Sequence, residues 1–276
     1  VAGNGNVRTI DVGQVFVSTP TPYEIAGSLI VSEPITAFSP FARPITVDGD
    51  CSFTGTQLTV FNDATTGLAH VGGTFTASHN PLLQEIAFGT IGRGADLEDN
   101  AVLRGVNFFG SGFSQATEYP GDFIITDNPM LGNLEALFER IERIHGEVRI
   151  ERNAGLRSMF AASLTTVDNL VMLEDNPQMF ELGLPSLRTA TAEIAVIGND
   201  AITTLALPAL QSADEIEIMQ NATLGHLELP ALTRASMLVE NNPVLAACEV
   251  DAVFGRATGA HTQSGNGGTA PCAPGP

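Results

Sequence analysis

The sequence predicts an all-β protein: a right-handed parallel β-solenoid of about ten stacked coils. Three aligned observations carry that prediction. An asparagine recurs as Asn80, Asn100, Asn128, Asn153, Asn176, Asn199, Asn221 and Asn242, at spacings of 20 to 28 residues. Five and three residues before each asparagine stand apolar pairs: Phe75/Ala77, Ala95/Leu97, Phe123/Ile125, Val148/Ile150, Val171/Leu173, Ile194/Val196, Ile216/Ile218 and Met237/Val239. That period of two is a strand with one face inward. Three residues after each asparagine comes Leu83, Leu103, Leu131, Leu156, Met179, Ile202, Leu224 or Leu245. Six after comes Ile86, Val106, Leu134, Met159, Leu182, Leu205, Leu227 or Cys248.

One coil follows from this phrase. Its strand pairs in parallel with its neighbours about 4.8 Å away. The chain turns at the asparagine, and the apolar residues at offsets three and six point back into a shared core. An asparagine amide both donates and accepts, so stacked asparagines satisfy one another and the turn's backbone.

The chain then divides in three. Residues 1–24 form a β-rich N-terminal cap or opening segment, with Val7, Ile10, Val12, Val15 and Val17 before Pro20 and Pro22. Residues 25–242 form the solenoid, with irregular coils over 25–72 and regular coils over 73–242. Residues 243–276 form a C-terminal cap and tail. In the irregular part Leu29 and Val31 point inward, Pro34 turns, and Ile35 and Phe38 follow; Cys51 and Phe53 take the inward positions of the next copy. Residues 104–121 read as a bulging insertion. The run 133–145 reads as a helix with Leu134, Leu137, Phe138, Ile141 and Ile144 on one side and Glu139 spaced to pair with Arg143. Prolines 185, 208 and 230, in LPxL phrases, read as short extended segments.

Composition narrows the partners. Thirty-one acidic residues face 12 basic ones, all arginine, for a net charge of −19. A field of that sign disfavours nucleic acid, and no apolar run is long enough for a transmembrane span. No signal peptide is visible, as expected of a mature chain whose leader has been removed. Cys248 and Cys272 lie in a setting that suits a loop-closing disulfide, which places the chain in an oxidising compartment. Cys51 reads as a buried small hydrophobe. No CxxC, HExxH or GxSxG occurs, and none of the five histidines has ligand spacing to another. Asn221-Ala222-Thr223 matches a glycosylation sequon, but a ladder asparagine is inaccessible.

The phrases GDFIITDNPML, DNLVMLEDNPQMFELGLPSL, AEIAVIGNDAITTLALPAL and SMLVENNPVL resemble the receptor L-domain family, the leucine-rich β-solenoid of receptor ectodomains. The ending NNPVLAACEVDAVFGRATG with GNGGTAPC resembles the closing cap of its bacterial surface form. The resemblance covers residues 73–272 well and 25–72 loosely. It implies extracellular or cell-surface recognition, adhesion or structure without catalysis.

The candidate site is the strand face turned away from the core: Asp96, Glu98, Glu151, Met172, Glu174, Ile197, Glu217, Met219, Leu238 and Glu240. Its carboxylates fit a basic partner or Ca2+, with a solvated acidic face as the plainer reading. No cofactor and no fixed metal site is expected. Its apolar members fit a protein or glycan partner, self-association into a filament or surface layer, or an internal cover. The alternative is a polysaccharide-processing enzyme on a parallel β-helix, although no Trp and only Tyr23 and Tyr119 are present to stack sugars.

Overall fold

The computed structural model describes residues 9–10, 23–38, 45–61, 68–108 and 117–269. They wind into a parallel β-solenoid of about nine turns, against the ten or so expected. The turns have three faces, largely strand-bearing; in the coil of Phe123–Thr126 the third face carries a short helix. The first is a long ladder running from Leu29–Val31 through Cys51–Thr54, Thr74–Ser78, Gly94–Glu98, Phe123–Thr126, Val148–Glu151, Val171–Glu174, Glu193–Ile197, Ser212–Met219 and Arg234–Glu240 to His261–Ser264. The second carries short strands such as Leu68–Val71 and Thr166–Val167 just before it in each coil. The third carries Glu85–Phe88, Ser158–Phe160, Glu181–Gly183 and their equivalents after the turn. Every pairing is parallel, and the register follows the asparagine alignment: Phe123 lies opposite Val148 and Ile125 opposite Ile150.

The inward pairs and the residues at offset three are all buried, as are seven of those at offset six, Ile86 to Leu227. The offset of three has a direct cause. The carbonyl of each ladder asparagine accepts the N–H three residues on, as in Leu131 to Asn128 at 3.1 Å and Leu156 to Asn153 at 2.9 Å, which closes a β-turn.

The ladder itself is continuous. Each asparagine Oδ1 accepts the backbone N–H of the asparagine one coil earlier, from Asn80 N–H on Asn100 (3.2 Å) to Asn221 N–H on Asn242 (3.1 Å). Each Nδ2 donates to a carbonyl in the preceding coil, Asn153 to Ile125 and Asn199 to Leu173 both at 2.8 Å. The eight predicted asparagines are fully buried, so Asn221 is closed to glycosylation.

Two rungs extend the predicted ladder. Thr56 is buried and puts both its N–H and hydroxyl on Asn80 Oδ1, at 2.9 and 2.7 Å. Asn266 accepts from Asn242 N–H at 3.1 Å and donates to Val239 at 2.7 Å. The residue before each rung is left-handed: Gly55, His79, Asp99, Asp127, Arg152, Asp175, Gly198, Gln220, Asn241 and Gly265 have φ between 50° and 65°. That region costs most L-residues about 1–2 kcal/mol and favours Gly, Asn and Asp, which fill seven of these ten positions.

Several expectations need correcting. The helix over 133–145 is one turn, Glu135–Phe138. Leu134, Phe138, Ile141 and Ile144 are buried as expected, while the side chain of Leu137 lies outside the described residues. Ile144 belongs to the strand Arg143–Ile144, paired with Glu118–Tyr119 and Thr166–Val167. The coil must return extended to its ladder strand, so helix is confined to the corner. Arg143 accordingly pairs with Asp168, at 2.8 Å, instead of with Glu139. The LPxL prolines occupy β-turns, with Leu187, Leu210 and Leu232 N–H donating to the carbonyls of Leu184, Leu207 and Leu229 at 3.2–3.3 Å. Proline's fixed φ suits the first central position of such a turn.

At the C-terminus the stack goes one strand beyond residue 242. Helix Ala247–Phe254 crosses the last coil and His261–Ser264 pairs with Arg234–Glu240. Cys248 does not take a core position: the helical period turns it outward, and Val250 and Val253 are buried instead. Cys272, much of residues 1–24 and residues 109–116 of the insertion lie outside the described residues. The described Thr9–Ile10 pairs in parallel with Ala37–Phe38. Cys51 is buried, and burial pushes its thiol up to about 12, as suits a core residue.

Candidate functional site

The ten predicted face residues fall into two adjacent rows on the outer side of the long ladder. Residue-by-residue register places Asp96, Ile124, Arg149, Met172, Ala195, Glu217 and Leu238 in one row. The other row holds Glu98, Thr126, Glu151, Glu174, Ile197, Met219, Glu240 and Ser264. In a strand alternate residues share a face, so a sequence with core residues at offsets five and three presents offsets four and two outward. Met172, Ile197, Met219 and Leu238 are half-buried, flush with the half-buried Glu174, Glu217 and Glu240; Glu98 stands exposed and Glu151 is buried.

The structure adds a feature that the acidic count concealed. Arg149 stands between Glu147 and Glu151 on one strand and bonds both. Its Nε is 3.1 Å from Glu147 Oε1 and its Nη1 is 2.8 Å from Glu151 Oε1, with the Met172 sulfur at 3.4 Å. Arg152 closes the network, donating to Glu151 at 2.7 Å and gripping both oxygens of Asp127. Glu151 has only 8% of its side chain exposed and is held by two guanidinium groups. The hydrogen bond to Glu147 leads the causes that raise Arg149 above the usual guanidinium value, as that to Asp127 does for Arg152. The signal was readable: Glu147-Val148-Arg149-Ile150-Glu151 alternates acid and base on one strand face.

Two coils further on, the same face crowds glutamates together, with Arg149 offsetting them only in part at Glu193. Glu193 and Glu215 are register partners, with Glu217 beside them. Burial first, then the neighbouring glutamates, pushes the carboxyls of Glu193 and Glu217 above the ordinary range. Asp96 is raised in the same way by burial and by Glu98. On the second face Asp168 behaves oppositely. Burial raises it, but hydrogen bonds from Arg143 and His145 outweigh that and hold it low.

Among the described residues no group of three or more His, Cys, Asp or Glu side chains is placed to hold a metal ion. No helix of the described residues is long and apolar enough to cross a membrane. Compared with protein-family models and with curated proteins, the chain matches none.

Proposed function

We propose that the chain is a non-enzymatic recognition or adhesion solenoid of the receptor L-domain type, acting outside the cell or at its surface. The observation that carries this reading is the pair of face rows, where Met172, Ile197, Met219 and Leu238 lie level with Glu174, Glu217 and Glu240 on one uninterrupted sheet. Apolar side chains ringed by carboxylates suit a partner with a basic rim. A rigid parallel sheet also holds the contact groups in register without ordering cost on binding. The right-handed winding that parallel crossovers take, and a Cys248–Cys272 bridge pinning the C-terminal helix, complete the reading. Self-assembly into a filament is its structural variant, readable by light scattering at rising concentration.

Binding of immobilised cationic peptides tests it. The wild-type chain is expected to bind in a salt-sensitive manner. A Met219→Arg/Leu238→Arg variant, away from Arg149, is expected to lose that binding while keeping its unfolding midpoint; equal binding by both contradicts the proposal. For the cap, thiol titration of the unfolded, unreduced chain is expected to count Cys51 alone, and three thiols would remove the bridge.

Polysaccharide processing is the second reading, and the register that sets Glu193 opposite Glu215 with Glu217 beside them on the outer face favours it, since glycoside hydrolysis needs a pair of neighbouring carboxyl groups. Glycan turnover abolished by Glu193→Gln or Glu217→Gln would replace the first reading with this one.

A further inference from the structure

The asparagine ladder is polar along its length. From Thr56 to Asn242 each rung donates its N–H to the side-chain oxygen of the rung one coil on. At Asn266 the series stops. Its Oδ1 is used by the N–H and Nδ2 of Asn242, at 3.1 and 3.2 Å, but its own N–H finds no acceptor among the described residues. The strand before it ends in the same state. His261–Ser264 pairs with Arg234–Glu240 alone, and the carbonyls of Ala260 and Ser264 accept from Met237 and Asn241 on that side, both at 2.8 Å. Alternate residues of a parallel strand bond to opposite neighbours, so the N–H and C=O of His261 and Gln263 point away from the stack. They have no partner among the described residues.

This edge is unguarded. His261-Thr262-Gln263-Ser264 contains no proline, lysine, arginine or carboxylate, the usual means of blunting an edge strand. Behind it the helix Ala247–Phe254 fills the core, where His261 stacks on Phe254 and Gln263 bonds Asp251. What lies open is therefore backbone and one rung donor, and no apolar end. The complement of a last donor is a rung oxygen without a donor, and the sequence holds one. Pro34 stands three residues after Val31, as Thr56 stands after Phe53, the register partner of Val31. Thr9 pairs with Ala37, three residues after Pro34, so Asn6 falls in ladder register one coil before Pro34. Val1, Gly3 and Gly5 then match the two inward positions and the left-handed position, where glycine also stands at 55, 198 and 265. Residues 1–8 lie outside the described residues, and Asn6 is placed by register alone. Pro34 has neither an N–H nor a side-chain oxygen, so a rung at Asn6 is not continued within the chain.

We propose that the open edge of His261–Ser264 takes residues 1–6 of a second copy of this chain as a further parallel strand, with the Asn266 N–H donated to Asn6 Oδ1 of that copy. Main-chain bonds from His261 and Gln263 supply the affinity, and the rung fixes the register. The two contact surfaces differ, so the association is heterologous and builds open rows of copies instead of closed dimers. This specifies the self-assembling variant proposed above and rests on it; the sheet-face rows take no part.

Light scattering at rising concentration, joined to a cross-linking test of register, decides it. The average mass of the wild-type chain is expected to climb with concentration. Gln263→Pro removes one outward N–H and keeps the bonds to Arg234–Glu240. It is expected to raise the concentration for half-association about tenfold, with the unfolding midpoint and cationic-peptide binding unchanged. Asn6→Ala, remote from the C-terminal helix, is expected to raise it about fivefold. For register, copies carrying Ala2→Cys are mixed with copies carrying Thr262→Cys and oxidised without denaturant. The two positions become neighbours about 4.8 Å apart in the proposed strand pair, within disulfide reach. The mixture is expected to cross-link at least tenfold faster than either copy alone. Three outcomes overturn the proposal: a monomer at every concentration; association unchanged by both Gln263→Pro and Asn6→Ala; or cross-linking no faster in the mixture than between like copies. Cationic-peptide binding by a strict monomer would remove the edge contact and leave the sheet-face reading standing.

Discussion

The asparagine corner and the outer face of the long sheet lie on the same strands, two residues apart, and are built on opposite terms. Asn153 and its equivalents are fully buried, and each amide is engaged on both sides by neighbouring coils. Glu174, Met172 and Glu217 are half-exposed and vary from coil to coil. Chemistry at the corner is fixed because its groups have no water to fall back on. At the face it is free, because solvent or a partner can satisfy what the fold does not. The corner therefore sets stability, and the face is where specificity can be written.

The sharpest way to break this contrast is to remove one rung. Asn153→Ala takes this partner from the Asn128 N–H and the Ile125 carbonyl, while the Glu151 carbonyl keeps the Asp127 N–H. Each such buried group costs about 1–3 kcal/mol, so a loss of about 4 kcal/mol is expected in urea unfolding. Met172→Ala, on the face, should shift the midpoint far less.

Within the face, the coil of Arg149 and the coil of Glu217 make a second contrast. Arg149→Met strips Glu147 and Glu151 of their shared cation. Arg149 is 32% exposed, so solvent screening holds the expected cost to about 1–2 kcal/mol, below that of a fully buried pair. Reading the same denaturation curve in the Glu151→Gln background separates the pair from the packing.

The smallest expected effect is on pH. Glu193, Glu217 and Asp96 are raised in the folded chain. Over that window the folded state binds more protons than the unfolded one, so these groups lose stability as pH rises and regain it on acidification. Asp168 is lowered, so its contribution is present at neutral pH and lost as pH falls through its folded value. The melting temperature of Glu217→Gln is expected to depend less on pH in the mildly acidic range than that of wild type. Asp168→Asn should remove the opposing slope at lower pH.

Much of this was legible before any coordinates. Period two fixed the inward pairs, and the constant offset located the eight asparagines, because identical turns demand identical residues. Thr56 and Asn266 escaped for physical reasons. Thr56 does an asparagine's job with a hydroxyl. Asn266 follows a strand whose inward positions are His261 and Gln263. At the end of the stack these meet a helix instead of another coil: His261 stacks on Phe254 with ring centroids 4.7 Å apart, and Gln263 bonds Asp251 at 2.6 Å. The run 133–145 reads as a long helix because Leu134, Phe138 and Ile141 satisfy a helical period that a tight corner produces equally well. On the site, register placed all ten face residues together. The Arg149 network was hidden because a net acidic count says nothing about where the few arginines stand.

Amide hydrogen exchange on the native chain tests the central claim most directly. The backbone N–H groups of Asn100, Asn128, Asn153, Asn176 and Asn199 are each donated to the next rung, and are expected among the slowest amides in the molecule, opening only with global unfolding. Exchange of these amides as fast as that of the turn residues beside them would mean that the asparagine corner does not hold the coils together.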